Sequence, residues 1–340
     1  MPISNAHIQI NGTNIGTISN SQGSFNLKIP EQYCNSDLVF SHISYLPDKK
    51  KIVCWEQDYL VILTERLFEL DEVQVSALSV EQIVLNTILN LEKNYQVDSV
   101  NYTTFSRYTE TLDNNPVLLE ESVYNLYHGS NSKPEFNIIK VRGKGFGKLG
   151  EERFNEARLI GIHTTENHIM LRYLPDFLKK KKMKKYIYKF VEEIENDQDL
   201  YYSINIQSMD SKDYFKEGKL HIHKSDFGIS YLESVYRGED WTNIYKNQYQ
   251  KFDVKWFFTY GSISGTKYYK KEDIQIDRNR NTVATERISR KPFKKSEEMG
   301  LMSQMLKDFK GSFNDDFWER YNYVPLDSTF KSSLTLSRIA

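Results

Sequence analysis

No apolar run in this chain approaches the roughly 18–20 residues that a membrane-crossing helix needs, so no helical span is expected within these residues. Nor does a basic segment followed by an apolar one open it, because Met1-Pro2 leads straight into strand-like sequence. An excess of either charge is also missing. Lys+Arg at 45 against Asp+Glu at 46 leaves a formal net charge of -1. No global field therefore draws the molecule to nucleic acid or to an acidic membrane, and any such contact must be local. Cysteine is scarce: Cys34 and Cys54 are the two in the chain. Two separate thiols are expected, since a bridge needs an alignment of Cβ atoms that spacing alone does not supply. A His-Glu-x-x-His segment is absent, which removes the metalloprotease helix. The nearest approach to Gly-x-Ser-x-Gly is Gly261-Ser262-Ile263-Ser264-Gly265, with glycines at both ends and serine at the wrong offset. It fails the nucleophile-elbow test and reads as a turn after Trp256–Tyr260.

What is present favours strands. Hydrophobic residues make up 39% and aromatics 14%, including 23 tyrosines, and the mean hydropathy is -0.60. Aromatic and β-branched side chains suit a pleated, half-buried surface. A length of 340 residues predicts about two domains. In the first, residues 1–77, Ala6, Ile8 and Ile10 alternate with His7 and Gln9. Asn11-Gly12 suits a tight hairpin, and Phe25, Leu27 and Ile29 alternate up to Pro30. Asp37–Tyr45, Lys51–Trp55, Tyr59–Leu63 and Asp71–Ser76 are further strand candidates. Short strands punctuated by turns at this interval predict a sandwich.

Pro2-Ile3-Ser4-Asn5-Ala6-His7-Ile8, Gly12-Thr13, Gly16-Thr17, Gly23-Ser24-Phe25 and Phe40-Ser41-His42-Ile43-Ser44-Tyr45 together resemble the carboxypeptidase regulatory-like domain. Leu70-Asp71-Glu72-Val73-Gln74-Val75 looks like that family's closing strand. The resemblance implies a transthyretin-like β-sandwich and a setting in the Gram-negative cell envelope, without a catalytic zinc site. Two departures stand out. The family's strand before the Pro-Ile pair is missing, and Ser44 stands where glycine usually precedes the tyrosine. The missing strand leads us to expect a start shortened by a strand and an export signal. The same closing strand precedes the plug and barrel of TonB-dependent receptors, but the roughly 265 residues that follow are too few for both.

The second domain, residues 78–340, is expected to be α+β with an antiparallel meander. Ser79 and Gln82 are spaced as a capping box, and the apolar spacing from Val80 to Asn94 is helical. Tyr186–Ile194, Leu200–Gln207, Lys219–His223, Gly228–Tyr236 and Phe252–Tyr260 read as strands, with turns at Asn196-Asp197-Gln198-Asp199 and Ser225-Asp226-Phe227-Gly228. Short turns between successive strands favour antiparallel pairing over helical crossovers. Ser296 through Phe309 reads as a second helix, followed by a short aromatic segment, Asp316–Asn322.

Each constellation that carries chemistry has a plainer reading beside it. Gly145-Phe146-Gly147-Lys148-Leu149-Gly150 fits G-x-G-x-x-G with Glu166 loosely placed for a ribose, but nothing around it reads βαβ. A flexible basic surface loop is expected. His221-Ile222-His223, with Asp226 near, has the spacing of a metal pair on one strand face. A solvent-facing strand side, with Leu220 and Ile222 inward, is the plainer expectation. Lys179–Lys185 has six lysines around Met183. It suits phosphate contact but lacks interleaved aromatics, so a solvated loop is expected. Glu192-Glu193 and Asp315-Asp316 are adjacent acids rather than convergent ones, which leaves glycoside hydrolysis unsupported. Trp241 and the tyrosines suit sugar stacking as well as strands.

The sequence therefore points to a non-enzymatic binding or scaffolding protein of the cell envelope, in the periplasm or at the outer membrane. A protein, peptide or glycan ligand is expected, with no nucleic acid and no cofactor. No residue is assigned a catalytic, cofactor-binding or metal role. Two alternatives stand: a metal-assisted hydrolase around His221 and His223, and lipid or lipoprotein handling by the large sheet, which requires a greasy sheet face.

Overall fold

The computed structural model describes residues 1–3, 6–11, 13, 15–20, 22–27, 29, 31–42, 45–53, 59–65, 78–95, 100–128, 135–156, 168–196, 199–288, 317–318 and 324–336. The expected closing strand, the helix from Ser296 to Phe309 and most of the segment 316–322 lie outside these residues. The fold is mostly β, with a small N-terminal sheet and a ten-stranded antiparallel sheet. The chain divides into two compact units: Met1–Gln74 with Thr285–Arg287 and Ser312–Ala340, and Val75–Ala284 with Ile288–Gly311.

In the first unit β1 (His7–Ile10), β2 (Gly16–Ile18), β3 (Asp37–His42) and β4 (Tyr45–Lys51) pair in the order β2-β1-β3-β4. Registers Ile8↔Phe40 and Ile10↔Leu38 put four apolar side chains on one face, as the alternation requires. Ile52 and Leu63 complete that core, with Phe25, Leu27, Ile29 and Val61 packed against it. Phe25 to Leu27 and Tyr59 to Thr64 form no regular strand, although Leu46 N–H donates to the Thr64 carbonyl at 2.8 Å and Glu65 makes an isolated bridge with Tyr45. A helix labelled α3 (Ser328–Leu336) belongs to this unit. Gln22 Nε2 donates to Ser328 Oγ at 2.6 Å, and Asn20 Nδ2 donates to the Pro325 carbonyl at 3.2 Å. Cys34 is disulfide-bonded, which corrects the expectation of separate thiols; Cys54 lies outside the described residues.

The second unit opens with α1 (Val80–Tyr95). Its start is the predicted capping box, with Ser79 N–H donating to Gln82 Oε1 at 2.8 Å and Gln82 N–H donating to Ser79 Oγ at 3.3 Å. Ten strands follow: β5 (Val100–Leu112), β6 (Asn115–His128), β7 (Glu135–Gly145), β8 (Tyr186–Asn196), β9 (Asp199–Ser208), β10 (Phe215–His223), β11 (Ile229–Arg237), β12 (Trp241–Phe252), β13 (Lys255–Tyr269) and β14 (Ile274–Ile288). A second helix, α2 (Gly147–Glu156), follows β7. The sheet order is β7-β6-β5-β14-β13-β12-β11-β10-β9-β8, two meanders joined where β5 meets β14. The expected strand Phe252–Tyr260 is instead the end of β12, a turn with Asp253 at φ 56, and the start of β13. Asp113 and Asn114, both at positive φ, close the β5–β6 hairpin, as a tight two-residue turn demands.

Ile83, Val84, Leu91 and Tyr95 of α1 share one core with Ile204, Ile206, Leu220, Ile222 and Leu232 of the sheet. The end of α1 is pinned there. Tyr95 Oη donates to the Ile229 carbonyl at 2.6 Å and accepts from Ile229 N–H at 2.7 Å. Asn94 Nδ2 donates to the Asp226 carbonyl at 2.9 Å. The Tyr95→Phe variant leaves two buried backbone groups of β11 without that partner, so a loss of about 2–3 kcal/mol is expected in denaturant unfolding. A loss below about 0.5 kcal/mol would show that water satisfies both groups.

Candidate functional site

Antiparallel register fixes which side chains share the helix-covered face. Leu220 lies opposite Leu232, which lies opposite Asn247; Gly218 lies opposite Ser234, which lies opposite Tyr245. On this face, beyond the reach of α1, the segment from His168 to Leu178 folds back over the strands and adds Met170, Phe177 and Leu178 to the core. Tyr188 Oη donates to the Phe177 carbonyl at 2.6 Å and Tyr249 Oη to the His168 carbonyl at 2.9 Å, so both ends of the segment are tied to the sheet.

Between segment and strands lies a cavity of about 620 Å³. Met170, Leu174, Phe177, Phe215 and Leu232 form an apolar wall, while Tyr186, Tyr236, Tyr245, Tyr249 and Trp241 supply aromatic surface. Arg172, Asp176, Lys179 and Asp213 add charged groups to the lining. These charges are exposed or half-buried, whereas Phe177, Phe215 and Leu232 are buried, so the lining runs from a polar rim to an apolar interior. Burial pushes the Tyr186 and Tyr236 hydroxyls up to about 12, which keeps both protonated at neutral pH. They face the cavity as neutral hydrogen-bonding groups.

His168 braces this arrangement from below. Its ring stacks on Phe258 with centroids 5.3 Å apart, and its Nδ1 lies 2.5 Å from Asn247 Oδ1. Burial pushes the imidazole down to about 4, so it is neutral and Nδ1–H donates to Asn247. A Cβ at position 261 would collide with that ring, which explains a glycine inside β13. Gly261 to Gly265 therefore form not the expected turn but the middle of a strand.

The other sequence candidates separate. His221 and His223 are both buried, at 8% and 5% exposure, rather than solvent-facing. Their strand is interior to the sheet, and Tyr201, Tyr231 and Trp256 of other strands pack on the two rings. His223 is committed: Nδ1 is 2.7 Å from Asp226 Oδ1 and Nε2 is 3.3 Å from Asp199 Oδ1. His221 packs on Tyr231 instead. No group of three or more His, Cys, Asp or Glu side chains suited to a metal occurs among the described residues. The lysine run is a 3-10 helix over Lys180–Lys185, with Lys179 and Lys182 paired to Asp176. Gly145 to Gly150 form a built strand-to-helix junction, not a flexible loop. A Cβ at Gly145 would collide with the Gly150 carbonyl, and one at Gly150 with the Val117 carbonyl. The strand belongs to an antiparallel edge, so no βαβ phosphate cradle forms. Glu192 and Glu193 lie on β8, with Glu193 paired to Lys224 at 2.7 Å. Trp241 lines the cavity and packs on Tyr214 at 5.8 Å. Glu166, Asp315 and Asp316 lie outside the described residues. The cavity-lining segment was missed in the sequence, although its apolar cluster Ile169-Met170-Leu171 and Leu174-Pro175-Asp176-Phe177-Leu178 marks it as buried.

Residues 1–75 match the family model described as CarboxypepD_reg-like domain, so the N-terminus of the chain is a domain of that family. No curated protein matches the sequence. Among solved structures, a LolA superfamily protein from Nitrosomonas europaea matches at 12% identity and TM-score 0.30, over 64% of this chain and 96% of that one. A Vibrio parahaemolyticus domain assigned to outer membrane lipoprotein sorting matches at 10% and 0.29, over 67% and 100%. The MucA/MucB complex of Pseudomonas aeruginosa matches at 8% and 0.19, over 62% and 98%. Scores at this level carry no argument about ligands, and function rests on the cavity.

The His223–Asp226 pair predicts a pH dependence. Hydrogen bonding to Asp226 raises His223 above its ordinary 6.5, against the opposing effect of burial. Asp226 is pushed up by burial, yet its bonds to His223 and Lys251 hold it below its ordinary 3.8. The histidine's contribution is full below 6.5 and lost as pH rises through its folded value; the aspartate's is full above 3.8 and lost on acidification. Thermal melts are expected to show the pair at full strength between those limits. His223→Gln should flatten the loss on the alkaline side, and an unchanged profile would show that His223 does not titrate in the folded protein.

Proposed function

We propose that this chain is a non-enzymatic binding protein of the cell envelope that takes an amphiphile, with an apolar tail and a polar head, into the cavity of its large sheet. The observation that carries this is the cavity itself. Its volume, about 620 Å³, falls within the about 300–1,000 Å³ of small-molecule sites. Its interior is apolar and aromatic and charged groups border it, which suits a tail buried inside and a head held at the border. A glycan would leave Met170, Leu174, Phe177 and Leu232 facing polar groups, an arrangement that costs desolvation without return. This favours the lipid-handling reading over the peptide or glycan reading.

The envelope setting draws support from Cys34, since disulfides persist in oxidising compartments. In this reading the CarboxypepD_reg-like domain over residues 1–75 serves for docking, and residues 78–340 carry the ligand-binding work.

The test is extraction of the purified full chain with organic solvent, followed by mass spectrometry, with displacement of a fluorescent apolar probe in parallel. Co-purifying lipid in stoichiometric amount and saturable probe binding are expected. Ser234 is buried in the cavity wall, so Ser234→Phe should fill the space and weaken probe binding about tenfold, near 1.4 kcal/mol. Empty extracts together with no saturable probe binding would overturn the proposal.

A further inference from the structure

On the same face of the sheet, two strands from Tyr245 in the cavity wall, stand two arginines that pair with no acid among the described residues. Arg278 and Arg280 alternate along β14, and register carries them toward the cavity. Arg280 lies opposite Ile263, which lies opposite Tyr245; Arg278 lies opposite Gly265, which lies opposite Asn243. Because Gly265 presents no side chain, the Arg278 guanidinium reaches over β13 and its Nη2 donates to Asn243 Oδ1 at 3.3 Å. Asn243 is the cross-strand partner of Tyr236, and both Tyr236 and Tyr245 line the cavity. Their rings pack edge to face with centroids 5.6 Å apart. The two guanidiniums bear electrostatically on the Tyr245 hydroxyl, opposing the upward push of burial. Charge on β14 is thus felt at the cavity wall.

The partners of these arginines are neutral. Arg280 lies over the Tyr108 ring, 4.9 Å from its centroid, and Arg278 meets the amide of Asn243. The Nε atoms of both are shut off from solvent and lack a hydrogen-bond partner among the described residues. One acid on that side of the face is engaged elsewhere. Glu110 is held by Arg153, with Nη2 to Oε1 at 2.6 Å, and by the Tyr108 hydroxyl. Glu120 is buried opposite Tyr108 on the same face. Elsewhere in this unit the same sheet neutralises its buried arginines: Arg107 and Arg142 both close on Glu121, with Arg107 Nη2 at 2.5 Å. Both arginines are half-buried, with Nε shut off from solvent, and charge drawn partly out of water is stabilised by a counter-charge, which an anion from outside supplies.

We infer that Arg278 and Arg280 bind the anionic head of the ligand, a carboxylate or phosphate attached to an apolar tail. Guanidinium forks match the planar or tetrahedral oxygens of such heads. The inference rests on the amphiphile reading above and narrows it to anionic amphiphiles.

The test compares a long-chain fatty acid with its methyl ester, by calorimetric titration of the full-length protein, with acetate and inorganic phosphate as head-only probes. The acid is expected to bind at least tenfold more tightly than the ester. Arg278→Gln combined with Arg280→Gln should abolish that difference by bringing acid binding down to that of the ester, while Arg278→Gln combined with Arg280→Lys should restore part of it. Equal binding of acid and ester by the native protein overturns the inference and leaves the amphiphile reading standing. Persistence of the preference in the double glutamine variant also overturns it. Binding of neither acid nor ester overturns both readings. Phosphate or acetate bound as tightly as the fatty acid would identify a free-anion site and overturn the link to the tail.

Discussion

The phenol of Tyr95, set into the β-ladder at Ile229, governs the large unit. A ten-stranded sheet has one face that α1 must cover, and a single helix of 16 residues spans only part of it. Where the helix ends is therefore decisive. With Tyr95 and Asn94 bound at the β10–β11 turn, α1 covers Leu220, Ile222 and their neighbours. The strands beyond must find another cover. The segment His168–Leu178 supplies it, held by Tyr188 and Tyr249. Helix and segment do not meet the sheet everywhere, and the cavity is the space left over.

The same face changes character across its width. On β8 to β11 it is apolar, with Ile204, Ile206, Leu220 and Leu232 in the core. On β14, β5 and β6 it carries Arg278, Arg280, Thr282, Tyr108, Glu110 and Glu120. The cavity sits near the border, against β11 and β12. Burying an apolar group there releases water, while a charged group there finds counter-charge a strand or two away. That juxtaposition is what makes an amphiphile a better match than a uniformly polar or uniformly apolar ligand.

Much of the architecture was legible where local rules apply. Ser79 and Gln82 announced the start of α1 because a capping box is a contact between residues three apart. The strands β8 to β11 and the N-terminal domain followed from alternation and turn residues. Strand β5 did not, because nearly every residue from Val100 to Glu110 is buried on one face or the other and Thr, Asn and Ser occupy core positions. Periodicity vanishes in such a strand. His221 and His223 depart from the wet face that alternation with Leu220 and Ile222 predicts, because Tyr201, Tyr231 and Trp256 of other strands pack on their rings. The cavity was illegible for a related reason, since its walls combine residues 170–179 with strands up to Tyr249.

The seam between β5 and β14 has a kinetic consequence. Ser106 and Thr282, whose hydroxyls lie 3.4 Å apart across it, are separated by 176 positions in the chain. Each meander zips through neighbours a few residues apart, whereas the seam must wait for a very long loop to close, and non-local pairings of that kind slow folding. Until it forms, β5 and β14 are open edges able to pair with another molecule. During biogenesis the hazard therefore lies in the middle of the finished sheet, at strands that the mature protein hides completely from its neighbours.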